Sequence, residues 1–364
     1  MRYFITFLLP VLVTCAVFIN KTETVSGFWV VVFLLLAEGV LYCIYKRLKN
    51  NAVEFISGYM CTVEHYFPWV ERVVRDEYRR DNNGNQYKVQ VEKYVNHPDE
   101  YVGIYNINHK HYMSRDNFEY MCWRWGFRMY SFKTNHKNCV EGGGGEACDW
   151  NGDENSTKTV TITHRYHNPL KKSYSLFRSS GISKERVAEL GLFDYPKLDS
   201  YDEQKVLLVK DGVPFSNDLE QAAVALQRLN AFCGETSQIH VFMLLVPASD
   251  GIEFTACQKD YWKGLNKNEL VICLGVSNNM VRWCEAMSWS DNKTLELKIR
   301  SYFIDHPTLN LTPFVAWLRA NLKYWKRKEF KDFEYLKNGE IEGGYWILLS
   351  VSILFSLMLW FLCH

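Results

Sequence analysis

"YWKGLNKNELVICLGV", Tyr261–Val276, sets the reading of the C-terminal half of this chain. Its last seven residues are apolar at odd and even positions alike, and the run is too short for a helix. Such a stretch fits a strand covered on both faces. Before it, Tyr261 and Trp262 close a helical pattern, and Gly264 supplies the left-handed stop that helices favour. Asn266, Lys267, Asn268 and Glu269 then carry the chain into the strand at the end where strands begin. Ligands of open α/β sheets sit at the other end, so this turn reads as architecture rather than as a site.

Flanking segments extend the pattern in both directions. "SQIHVFMLLVP" (Ser237–Pro247) and "NMVRWCEAMSW" (Asn279–Trp289) read as further strands. "NDLEQAAVALQRLNAFCG" reads as a helix with an apolar stripe at Leu219, Ala222, Ala223, Leu226 and Leu229 and a stop at Gly234. Two helical patterns follow, at Lys293–His306 and from Leu311 onward. Residues 217–325 are therefore expected to form an α/β unit, a mixed sheet covered by helices.

Residues 53–168 read as a β-rich module. "WVERVVRDEYRR" and "YKVQVEKYVNH" flank "DNNGNQ", which predicts a hairpin. The glycine-rich, acidic Glu141–Ser156 predicts a flexible loop. Residues 169–216 read as an irregular connector with one short helix, Ser183–Leu190, capped by Ser183.

The chain has 364 residues and a formal net charge of +1, so no global field argues for nucleic acid. A bilayer takes about 20 apolar residues. Tyr3–Ile19, Gly27–Tyr45 and Tyr345–Cys363 meet that length, with Glu38 inside the second. Basic residues flank the central region: Lys46, Arg47 and Lys49 on one side, Lys326, Arg327, Lys328 and Lys331 on the other. They predict an integral membrane protein of three helices, with its large region on the cytoplasmic side and its C-terminus outside. Residues 326–344 form a basic juxtamembrane segment expected to meet the lipid bilayer. Eleven cysteines without a C-x-x-C pair suit packed thiols in a reducing compartment.

Candidate chemistry is sparse. Asp250, Asp260, Glu269 and Asp291 fall near the ends of the α/β elements, where converging carboxylates could bind a divalent cation. Seven of the ten histidines lie between His65 and His167. His109 and His111 share one strand face, His164 and His167 are neighbours, and Cys122, Cys139 and Cys148 could supplement them. None of these has a recognised zinc-ligand spacing. Gly142–Gly145 lacks the Lys-Ser/Thr of a phosphate loop and is followed by acids.

"QIHVFMLLV", "YWKG", "NKNELVICLGV" and "NMVRWCEAMSW" stand in an order that resembles the TPM domain, over residues 219–303. Two departures are Glu269, where that family has glycine, and the lack of a glycine-rich end after "MVRWCEAMSW". The resemblance implies a membrane-anchored α/β domain with phosphatase, metal-binding or assembly roles. The whole arrangement also looks like uncharacterised membrane proteins of bacteria and their phages. The expected function is a membrane-anchored scaffold or interaction protein, with a protein partner or self-association and no required cofactor. The alternative is a metal-dependent, phosphatase-like hydrolase using the four carboxylates.

Overall fold

The computed structural model describes residues 51–82, 84–167, 182–198, 205–214, 217–262, 264–329 and 332, together with Leu36, Gly39, Val40, Cys43 and Ile44. Among these it is a mixed α/β protein with three sheets and six α-helices.

The first sheet is organised by one long strand, β1 (Asn51–Tyr66). Two strands that follow it, β2 (Trp69–Arg80) and β3 (Gln86–His97), belong to a separate sheet with β7 (Cys139–Gly142). The C-terminal half of β1 lies between β4 (Glu100–Tyr105) and β8 (Gly145–Asp149). Outside these run β5 (His109–Tyr112) and β6 (Met129–Phe132). Its N-terminal half pairs with β9 (Thr159–His167) from Asn51↔His167 to Tyr59↔Thr159. The register against β4 shifts between Met60 and Thr62, where β1 passes from one partner set to the other.

The β-rich stretch also holds a helix, and one expectation for this region is corrected. Arg115–Trp125 is a helix, α1, because Ser114 Oγ accepts from the Asn117 amide at 3.3 Å and Gly126 ends it at φ 92°. It lays Phe118, Met121, Cys122 and Trp125 on Met60, Val63, Tyr105 and Cys148. The glycine-rich loop is also partly strand. Gly145 opens β8 beside β1, where a Cβ would stand 2.3 Å from the His65 carbonyl oxygen.

The other sheet runs β10 (Leu207–Val209), β11 (His240–Pro247), β12 (Glu269–Ser277), β13 (Met280–Ser288). The first three are parallel, and β13 is antiparallel to β12. From Glu269 to Val276 every residue of β12 is buried, each large aliphatic side chain contributing about 1.5–3 kcal/mol. The intervening helices are α2 (Lys184–Leu190), α3 (Asn217–Ser237), α4 (Glu253–Tyr261), α5 (Thr294–Asp305) and α6 (Leu311–Asn321). Strand β10 falls in the stretch expected to be irregular.

Helix α3 passes through Gly234 rather than stopping there. A Cβ on Gly234 would lie 3.0 Å from the Ser57 carbonyl oxygen, so the glycine marks where the helix crosses β1. Phe232, two residues earlier in the helix, stacks on Tyr59 at 4.4 Å. One helix thus joins the first sheet to the second.

The expectation of three membrane spans, and of integral membrane placement, is corrected. Among the described residues no helix is long and apolar enough to cross a membrane. The longest, α3, has 21 residues but carries Asp218, Glu220, Arg228 and Glu235 beside its buried stripe. Tyr3–Ile19 and Tyr345–Cys363 lie outside the described residues, as do Glu38, Lys46, Arg47, Lys49 and Lys331. Of Gly27–Tyr45 only Leu36, Gly39, Val40, Cys43 and Ile44 are described, in helical conformation. The described start of the basic segment folds back onto the protein. Arg327 pairs with buried Glu54 at 2.8 Å, and Lys326 lies 3.7 Å from Asp291.

Candidate interaction site

The β2–β3 hairpin keeps perfect register over its whole length, from Trp69↔His97 to Arg80↔Gln86. Its turn is closed by Asp81, whose side chain accepts from the Asn85 amide at 2.8 Å, and by Gly84 at φ 85°. At its root Trp69 is held between the rings of His97 and His136, each stacked at 4.0 Å. Strand β7 reaches β2 only at Trp69, Val70 and Glu71. The Arg72 amide still donates to the Asn138 carbonyl at 2.9 Å, and from Val73 outward, among the described residues, the two strands pair only with each other.

A two-stranded ribbon usually needs a packed face to be stable. This one has little cover. Val74, Tyr78 and Tyr94 on one face are 49–70% exposed, and on the other Tyr87 is 49% exposed beside Val73, Val89 and Val91, which are only half-buried. Charges of both signs interleave with them: Arg72 pairs with Glu92, and Lys88 Nζ lies 2.9 Å from Asp76. Tyrosines and valines held in water on a regular ribbon form a surface suited to contact, since large apolar side chains gain most from being covered.

In the turn Asn266–Glu269, Asn266 is half-buried and Lys267, Asn268 and Glu269 are buried. Glu269 accepts from the Asn266 amide at 2.7 Å and from the Tyr195 hydroxyl. Burial, outweighing these bonds, holds its carboxyl above the usual carboxylate range. Asn268 donates to the Phe55 carbonyl of β1, and Ser57 of the same strand lies 3.3 Å from His240 Nδ1. These residues join the two halves and are closed to solvent. Burial also pushes Lys267 down to about 8.

The other carboxylates serve local contacts. Asp250 binds Lys210 at 2.6 Å on the turn after β11, Asp260 sits in α4, and Asp291 faces Lys326. His109 and His111 lie on edge strand β5, with His109 held low by burial and by His111. His164, on β9, bonds Glu54 at 3.2 Å, and His167 ends that strand. No group of three or more His, Cys, Asp or Glu among the described residues could hold a metal ion.

A second feature escaped the sequence reading. His65 lies 3.1 Å from Glu146 through Nδ1 and 3.8 Å from Asp99 through Nε2. Stacked on Tyr101, it walls a cavity of about 340 Å³ shared with Arg115 and Phe118. These residues come from β1, β4, β8 and α1 and the loops beside them, with no common motif to announce them.

No protein-family model, no curated protein and no solved structure matches the chain, so the likeness of residues 219–303 to the TPM domain gains no support from such comparison.

Proposed function

We propose that this chain is an interaction protein whose contact element is the β2–β3 ribbon. The observation that carries the reading is the exposure of Tyr78, Tyr87, Tyr94 and Val74 on strands that, beyond Glu71, have no further strand partner among the described residues. A regular ribbon rooted by stacked rings presents these side chains at little further ordering cost, because the strand register already fixes the backbone. The interleaved charges favour a protein partner of mixed charge over a polyanion.

The test is site-specific photo-cross-linking in cells with the full chain. A photoreactive residue at Tyr78 or Tyr94 is expected to capture a protein, whether another copy or a different chain. The same residue at Leu297, 59% exposed on α5, serves as the comparison. Adducts at the ribbon no more abundant than at Leu297 would overturn the reading.

A further inference from the structure

We propose that the partner of the ribbon is a second copy of this chain, added along the outer edge of β3 in antiparallel register centred on Gln90. This deepens the reading above and rests on it. Strand β3 ends its sheet, in the order β3-β2-β7, so one full row of its backbone groups is unpaired among the described strands. Such an edge is a template for another strand.

Symmetry narrows the choice. A two-fold axis normal to the sheet makes β3 pair with its own mate antiparallel and keeps each face of the ribbon on its own side. Residues that meet must then share a face. Centring the axis on Gln90 sets Lys88 of each copy opposite Glu92 of the other, and Val89 opposite Val91. Tyr87 meets Lys93 in the same register. Centring it on Val91 puts Lys88 against tyrosine and Lys93 against valine. Centring it on Glu92 sets that carboxylate against itself. Only the Gln90 register, among those near the middle of the strand, places opposite charges directly across the edge.

The contacts already present within one ribbon extend this pairing. Arg72 holds Glu92, and Asp76 holds Lys88, on the same face. Across the axis these would form an alternating row, Arg72–Glu92–Lys88–Asp76, its last two members from the second copy. A lysine on an edge strand ordinarily blocks pairing. Here Lys88 blocks any incoming strand except one that offers an acid at the opposing position, and a second copy offers Glu92. The opposite face gains a Val91–Val89 contact on each side of the axis, and such cross-strand pairs favour association.

The test uses two differently tagged copies of the full chain, co-purified at 0.15 M and 0.5 M salt. Wild-type copies are expected to associate. Lys88→Glu faces Glu92 with a like charge, and Glu92→Lys faces Lys88, so each variant should bind itself about tenfold more weakly or worse. Mixing K88E with E92K restores opposite charges at both sites and should restore association. A second measurement is independent of these charges. Gln90→Cys should give a disulfide-linked dimer on mild oxidation, whereas Tyr78→Cys, on the strand away from the axis, should not. Self-association unchanged by either reversal, a mixture no better than its components together with an unlinked Q90C, or no self-association at all would overturn this proposal. In that event ribbon cross-links to a different protein would leave the broader reading standing.

Discussion

The side-chain amide of Asn268 donates to the main-chain carbonyl of Phe55 at 2.8 Å, joining residues 213 apart in the chain. Both ends of this bond are buried. It ties the first turn before β12 to the long strand β1 that organises the other half of the molecule. Beside it, Phe55 stacks on Tyr195 at 5.6 Å and leans on His240 and Phe242.

Replacing Asn268 with alanine removes that bond and leaves a small void. A buried hydrogen bond of this kind contributes about 1 kcal/mol net, and more when its partner is stranded. Asn268→Ala should therefore lower stability by about 1–3 kcal/mol in a denaturant titration of the full chain. An unchanged midpoint would show that the bond does not hold the two halves together.

His240 gives a pH dependence of known sign. Complete burial among Phe55, Phe242 and Ser57 pushes its pKa down to about 3, from 6.5. Between those values the unfolded chain binds a proton at this site and the folded chain does not. The contribution of His240 is thus fully present above pH 6.5 and falls as pH drops, by up to about 1.4 kcal/mol per unit. Glu269 acts in the opposite sense, since its raised pKa lets the folded state take up a proton first. The comparison that isolates His240 is the wild type against His240→Gln. The variant should lose part of the decline in stability between pH 6.5 and 5, and the His240 ring should show no NMR titration in the folded protein over that range.

Gly145 is required for space. A Cβ there would meet the His65 carbonyl oxygen at 2.3 Å and the Phe132 ring at 2.6 Å. The first is backbone of the neighbouring strand and cannot turn aside. Gly145→Ala should cost about 1–3 kcal/mol or more through overpacking, read as a fall in melting temperature. Restoring the wild-type melting temperature by adding Phe132→Ala would show that the ring, not the strand backbone, sets the limit.

Short-range signals were legible in particular places. "DNNGNQ" between two alternating runs specified the β2–β3 hairpin, because turn chemistry and a period of two act over a few residues. Ser183 caps its helix through the Arg186 amide at 3.2 Å for the same reason. The apolar run after Glu269 could hardly be anything but an inner strand. The hairpin's role was not legible. Tyr78 and Tyr94 share one face of the ribbon and Tyr87 lies on the other, so their spacing names no covered side, and only the fold leaves all three uncovered.

By itself, the sequence determined where chain direction changes and which strands are apolar on both faces. Tertiary structure decided the rest. It placed Gly145 within a sheet and turned Arg115–Trp125 into a helix that covers it. It closed Asn268 and Glu269 away from water, and it set the four candidate carboxylates in separate local contacts. The physical reason is range. Turns and periodicity are written in neighbouring residues, whereas burial depends on what a distant segment brings to the same place. "YWKGLNKNEL" shows both, its glycine stop readable in the sequence and its bond to Phe55 visible only in the fold.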